Sequence, residues 1–239
     1  MPKISIIIPH LNGKHLLDDC LGSLRQQTFT DFEVLLVDNG STDGSQTYLR
    51  DHFPEVQLIE LGQNQGFTGA CNAGGAASSG EIVILWSNDT EVEQNWLRDV
   101  WQALKQNPQV GSVASKMLLF DQRDTFHTAG DFYRVDGLPG NRGVWQKDVG
   151  QFDQAEPVFS ACGGSAAYRR TMLDEIGFLD DDFFFSCEDV DLGWRAQLAG
   201  WQVLYVPTAV VYHKLKATGG SVTGSYYDGR NFLYLIWKN

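Results

Sequence analysis

At 239 residues, 43% hydrophobic and 20% charged, with no low-complexity tract, the chain has the length and composition of a globular protein with one well-buried core. Its formal charge of -12 excludes a general nucleic-acid binder, which needs Lys and Arg against phosphates, and means that a bound diphosphate would want a divalent cation beside it. Cys20, Cys71, Cys162 and Cys187 lack metal-ligand spacing, Ile4–Ile8 is too short for a signal peptide, and no run approaches the roughly 20 apolar residues of a membrane span, so a cytoplasmic protein with reduced thiols is expected.

Ile4–Ile8 is an apolar β-branched run closed by Pro9, the pattern of a strand buried on both faces. Leu16–Gln26 reads as a helix with Leu17, Cys20, Leu21 and Leu24 on one side. A strand over Phe32–Val37, a helix over Ser45–His52, a strand over Val56–Glu60, a small-residue helix over Ala70–Ser78, a strand over Ile82–Leu85 and a helix over Gln94–Gln106 follow. This alternation predicts a parallel sheet with helices on its faces and four strand ends at one edge. After Val110 the texture changes: Met117–Gln151 suits an irregular antiparallel excursion. Regularity returns with Phe159–Tyr168, helices at Arg170–Ile176 and Glu188–Ala199, and a strand at Gln202–Val206. Asp228–Asn239 reads as the start of an amphipathic helix that is cut off.

Ligands of open α/β sheets sit beyond the carboxyl ends of the strands. Three of those ends carry polar loops: Pro9–Gly13, Asp38–Asp43 and Ser87–Thr90. Each alone is ordinary turn chemistry, and Asp89 alone is a loop residue or a helix cap; three on one edge make a candidate crevice. Neither G-x-x-x-x-G-K-[ST] nor G-x-G-x-x-G follows a strand, which argues against a P-loop kinase or a nicotinamide enzyme.

Ile6–Gly13, Val37–Gly44, Asn64–Phe67 with Asn72, and Ser87–Thr90 together resemble the donor half of the family 2 glycosyltransferases, of GT-A fold, while Phe184–Leu192 and Tyr212–His213 resemble its acceptor half. The Asn88-Asp89-Thr90 pattern with Arg230-Asn231 is most similar to the rhamnosyltransferase-like branch. The resemblance implies one α/β domain over 1–239, with a mixed, mostly parallel open sheet, a nucleotide-sugar half (1–110) and an acceptor half (111–239) with a small antiparallel excursion; the cut-off helix makes truncation at the C-terminus an expectation. It implies a nucleotide site lined by Pro9, Asn12, Asp38 and Asn39, a nucleoside pocket and sugar floor at Asn64, Gly66 and Asn72, and donor contacts from Asn88 and Asp89. Asp89 matches the last acid of the family's Asp-x-Asp motif, but Ser87 replaces the first. A Mg²⁺ or Mn²⁺ ion would therefore depend on donor phosphates and on His213, a ligand better suited to Mn²⁺, with a structural histidine as the rival reading. Asp189 matches the general base and Glu188 its orienting neighbour, although Ser186-Cys-Glu-Asp189 also has the shape of a capping box and Asp191 with Arg195 that of an i,i+4 pair. Gly163 and Gly164 match an acceptor-side loop, or else a tight strand entry.

The implied activity is inverting transfer of a sugar from a dTDP-, UDP- or GDP-linked donor to a glycan or lipid-linked acceptor in envelope or exopolysaccharide synthesis, with peripheral membrane contact and no nucleic acid. The alternatives are a sugar nucleotidyltransferase, which would want a glycine-rich loop after its first strand, and a degenerate nucleotide-binding module. Asp180–Asp182 reads as a solvated turn. Phe183–Phe185, Trp194, Trp201 and Trp237 read as core packing before any acceptor groove.

Overall fold

The computed structural model describes residues 1–215 and 221–239, and of 221–225 the backbone only. Strand and helix alternate at first: β1 (Ile4–His10), α1 (Leu17–Arg25), β2 (Phe32–Asp38), α2 (Ser45–His52), β3 (Gln57–Glu60), α3 (Gly66–Ala77) and β4 (Ile82–Trp86). Then come β5 (Thr90–Val92), α4 (Trp96–Gln106), β6 (Val110–Leu119), β7 (Gln122–Thr128), β8 (Asp131–Tyr133), β9 (Pro139–Asn141) and β10 (Glu156–Val158). The chain continues with β11 (Ser165–Arg169), α5 (Arg170–Ile176), α6 (Glu188–Leu198), β12 (Gln202–His213) and α7 (Ser221–Lys238).

The main sheet runs β10-β12-β6-β11-β4-β1-β2-β3, with β5 paired to β12, β7 to β6, and a separate β8–β9 hairpin. β1 pairs in parallel with β2 and β4, and β2 with β3, so these four strands end at one edge as the alternation predicts. β11 lies antiparallel between β4 and β6, and β12 returns parallel to β6. This is the mixed, mostly parallel α/β architecture expected.

Strand side chains alternate between faces, and both faces here are covered. Ile4, Ile6 and Ile8 pack with Leu17, Leu21 and Leu24 of α1, Leu49 of α2 and Trp96, Leu97 and Val100 of α4. Ile7, Val83 and Leu85 pack on the other face with Ala70 and Cys71 of α3, Met172 of α5 and Leu192 of α6. α3 lies close because Gly74 meets the sheet: a Cβ there would stand 2.4 Å from Ile7 Cγ2.

Several elements differ from the sequence expectation: α7, expected to start at Asp228, runs from Ser221, β5 is added, and the strand expected in Phe159–Tyr168 begins only at Ser165. Val110–Leu119 is a ten-residue strand buried throughout, not the approach to an irregular segment. Its polar Ser112, Ser115 and Lys116 mask the apolar run, and Lys116 is neutralised from a distance, 2.7 Å from Asp148 and 3.0 Å from Asp153. α3 starts at Gly66 because the Phe184 carbonyl accepts from the Phe67 and Thr68 amides at its head. β12 continues to His213 through an irregularity between Val206 and Val210. Downstream of β6, the antiparallel excursion expected is present as β7 and the β8–β9 hairpin.

The two faces of helical glycine give a paired test. Gly22 in α1 has no atom within 4 Å of an added Cβ. Gly22→Ala should gain about 0.5–1 kcal/mol in urea unfolding, while Gly74→Ala should lose about 1–3 kcal/mol from overpacking. Equal effects would mean that α3 does not contact β1 as described.

Candidate active site

The first three strand ends form one hydrogen-bonded shelf. His10 stands opposite Asp38 across β1 and β2, with Pro9 opposite Val37. Asn12 takes a left-handed φ of 51°, which Asn tolerates; its N–H donates to Ser41 Oγ (2.9 Å) and its Oδ1 accepts from Thr42 N–H (2.8 Å). The buried Asp38 carboxylate accepts from Ser41 N–H (3.2 Å) and Gln46 Nε2 (2.9 Å). Asn39 reaches onward: Nδ2 donates to Asn64 Oδ1 and to the Gly66 carbonyl, each at 3.0 Å, and Oδ1 accepts from Gln65 N–H at 2.8 Å. Asn72 stands apart from the shelf. Its Nδ2 donates to Leu179 O (2.9 Å) and Asp181 Oδ1 (2.7 Å) and its Oδ1 accepts from Leu179 N–H, so it braces the 179–181 turn against α3.

The fourth strand end joins the shelf through His10. Its Nε2 lies 2.8 Å from Ser45 Oγ and its Nδ1 2.9 Å from Asn88 Nδ2. Ser45 Oγ in turn donates to Asp43. Because the Asn88 amide nitrogen can only donate, His10 accepts at Nδ1 and carries its proton at Nε2, which donates to Ser45. Burial lowers the pKa of this ring and keeps it neutral. Gly13 leaves room for the arrangement, since a Cβ there would stand 2.6 Å from Asn88 Nδ2.

Asp89 follows at once and is buried. β5 pairs antiparallel with β12, setting Thr90 opposite His213, and His213 Nε2 stands 3.1 Å from Asp89 Oδ1. Ser87, in the position of the missing acid, donates its hydroxyl to the same Oδ1 (2.5 Å). On the far side of His213, its Nδ1 lies 3.1 Å from Nδ1 of His127 in β7. Burial pushes His127 down to about 3, with His213 adding to the effect, so that ring is neutral. No group of three or more His, Cys, Asp or Glu suited to a metal occurs among the described residues. One carboxylate and one imidazole do meet there, a donor set that fits Mn²⁺ when phosphate or water completes the shell.

Across the edge stands the acidic pair of α6. Asp189 Oδ2 accepts from Gly163 N–H at 2.7 Å, and Oδ1 from Val190 N–H at 2.8 Å. Gly164, the next residue, accepts Ser87 N–H at its carbonyl (2.9 Å). A two-glycine turn therefore ties the helix start to the Asp89 loop. Burial raises both acids; Asp189 adds to the rise at Glu188, while the Gly163 and Val190 amides work against the rise at Asp189, and Glu188 Oε2 has no hydrogen-bond partner among the described residues. One proton on Glu188 and a charge on Asp189, held by two N–H donors, is the arrangement this favours.

The capping box does not form: Ser186 Oγ donates to Asp228 Oδ1, and α6 is entered through Cys187 in the left-handed region. The i,i+4 pair does, with Arg195 Nε 2.8 Å from Asp191 Oδ2. Asp180 is no free turn residue, since Lys238 and Tyr234 of α7 bond its Oδ2. Trp194 packs edge-on against Tyr133 and Phe159, whereas Trp237 is exposed. His127, Ser45 and the role of His10 escape a sequence reading. A lone His in an irregular stretch carries no signal until β7 folds against β6 and brings it to His213.

A family model described as "Glycosyl transferase family 2" matches residues 5–177. An N-acetylglucosaminyl-diphospho-decaprenol L-rhamnosyltransferase of Mycobacterium tuberculosis is 29% identical over 238 residues, covering 90% of this chain and 76% of that protein. An O-antigen biosynthesis protein of Myxococcus xanthus is 30% identical over 224 residues, covering 89% of this chain; the chain spans only 17% of that protein. A mannosyltransferase of Pyrobaculum calidifontis, solved with GDP-Man and Mn²⁺, superposes with a TM-score of 0.67 at 20% identity, covering 91% of this chain and 58% of that one. At that identity the likeness is one of fold, and that fold is GT-A.

The raised Glu188 carboxyl sets a pH dependence. Its folded pKa of about 8 lies above the ordinary 4.5, so the stability it contributes is full below about 4.5 and is lost as pH rises through about 8. Glu188→Gln should flatten that part of the melting-temperature profile and raise Tm above pH 8 relative to wild type. Parallel profiles would show that Glu188 is ionised in the fold.

Proposed function

The chain belongs to glycosyltransferase family 2, and from that premise we propose that it moves a sugar from a nucleotide-diphosphate donor to an acceptor hydroxyl with inversion, in cell-envelope or exopolysaccharide synthesis. The observation that carries the proposal is the Gly163–Gly164 turn. It holds one buried carboxylate by an N–H and the Asp89 loop by a carbonyl, so a base and a phosphate-side acid share one support.

The Pro9–Asn12, Asp38–Asn39 and Asn64–Gly66 loops form the nucleotide shelf, and Asn88 lies beside it. Asp89 Oδ1 and His213 Nε2 would hold Mg²⁺ or Mn²⁺. Bound there, the ion would neutralise the diphosphate as a leaving group, so no general acid is needed. Asp189 accepts the proton of the acceptor hydroxyl as the oxygen attacks the anomeric carbon from the face opposite the departing diphosphate. Glu188, protonated, keeps a second negative charge away from Asp189. With the sugar face free of any second carboxylate nucleophile in this scheme, a single displacement and inversion follow.

The mycobacterial relative is named for L-rhamnosyl transfer to N-acetylglucosaminyl-diphospho-decaprenol, which supports a deoxyhexose donor such as dTDP-rhamnose and a lipid-linked acceptor at the cytoplasmic membrane face. No helix among the described residues is long and apolar enough to cross a membrane. Peripheral contact is compatible with α7, whose Leu233, Ile236 and Trp237 are 72%, 52% and 80% exposed.

Thermal shifts with UDP, dTDP and GDP, with and without Mn²⁺, should show one metal-dependent nucleotide, and Asp89→Ala should lose the metal-dependent part. Asp189→Asn should cut transfer by about 10²–10⁴-fold and leave nucleotide affinity within about threefold. Wild-type turnover in Asp189→Asn would remove the base. Nucleotide binding without turnover of any donor would identify a binding module instead, and pyrophosphate release from a sugar phosphate and a nucleoside triphosphate would identify a nucleotidyltransferase.

A further inference from the structure

The turn that leads into Glu188 and Asp189 is built in an unfavourable backbone. Phe184, Ser186 and Cys187 have φ of 61°, 75° and 68°, left-handed values that cost L-residues about 1 kcal/mol or more each. None of the three is glycine, so something outside the turn must hold it. That something is α7. Asn231, fully buried, directs Nδ2 at the carbonyls of Phe183 (3.0 Å), Phe185 (2.8 Å) and Ser186 (2.7 Å). Two amide hydrogens shared among three carbonyls fit only if the nitrogen, not the oxygen, faces the turn. Arg230 fixes that orientation, because its Nε donates to Asn231 Oδ1 at 2.8 Å while its Nη2 donates to the Phe183 carbonyl at 2.9 Å. Asp228 accepts the Ser186 hydroxyl as a further tie.

The same turn touches the donor side. The Phe184 carbonyl takes the Phe67 and Thr68 amides at the head of α3, and a Cβ on Gly66 would stand 2.5 Å from that oxygen. The strained segment thus lies between the shelf carrying Asn64 and Gly66 and the helix start carrying Asp189.

We propose that Asn231 is a positioning residue for the transfer step: it clamps the 183–187 turn in its left-handed shape and thereby sets where the Asp189 carboxylate stands against Gly163. This rests on the reading of Asp189 as the base. A carboxylate displaced by about 1 Å from its in-line position loses about 100-fold in rate, so the clamp acts on kcat and not on nucleotide affinity.

The test uses the full chain as Asn231→Leu, of similar size without donors, alone and combined with Ser186→Gly and Cys187→Gly, which take positive φ without strain. Turnover is followed as nucleoside diphosphate release from dTDP-rhamnose, UDP-N-acetylglucosamine and GDP-mannose. The Gly163 amide resonance, hydrogen-bonded to Asp189, reports the carboxylate without any substrate. Asn231→Leu should lower kcat by about 100-fold, move the Gly163 resonance and leave nucleoside diphosphate affinity within about threefold; the two glycines should recover about tenfold of the rate. Should Asn231→Leu not fold, Asn231→Gln decides, since it keeps the amide but shifts it by one methylene: its kcat and Gly163 resonance should move together. A Gly163 resonance unmoved in the folded variants, or a rate loss that the glycines do not relieve, overturns the clamp. Wild-type turnover in Asp189→Asn, measured alongside, removes the base reading separately, whatever Asn231 does.

Discussion

A buried carboxylate cannot keep its charge unless donors replace the water it has lost, and for Asp189 those donors are two backbone amides. The Gly163 amide is the long-range one, so the placement of β11, which starts two residues later, decides whether the acid can be ionised. β11 is in turn fixed by antiparallel pairing to β4 on one side and β6 on the other. The acidic end of α6 is therefore tied to the central sheet as well as to its own first turn, and the helix N-terminus has no side-chain cap.

The two histidine networks do different work at the same edge. His10 sits between Asn88 and Ser45, joining two loops of the shelf with a fixed tautomer. His213 and His127 face one another through Nδ1, so one ring must donate and the other accept. If His213 Nε2 offers its lone pair to a cation, its proton sits on Nδ1 and His127 becomes the acceptor, the role that a carboxylate or carbonyl usually fills behind a metal-bound histidine.

Much of the first half of the chain was legible because its signals are local. β1, β2 and β4 are short apolar runs closed by Pro, Asp or Ser, and the alternation with helices forces their polar ends to one edge. The second half was legible in pieces. Helices α5 and α6 carry their own periodicity, but β6 hides behind Ser112, Ser115 and Lys116, whose acid partners lie more than thirty residues downstream. The beginning of α3 depends on a carbonyl from residue 184, and the capping shape at Ser186 misleads because Asp228 takes that hydroxyl. Candidate site residues that matched a motif could be placed at this edge from sequence. Those that serve by contact, such as His127, had no pattern to announce them.

The partnership between α7 and the turn before α6 also orders events during synthesis. Chains emerge from the N-terminus, and domains begin to fold as they appear. β1, α1 and β2 are complete by Asp38, so their pairing can form early. The left-handed turn waits for Asp228, Arg230 and Asn231, which are made some forty residues after it. The Phe184 carbonyl at the head of α3 belongs to that turn, so the Asn64–Gly66 corner and the start of α6 take their final form in one step, when α7 docks.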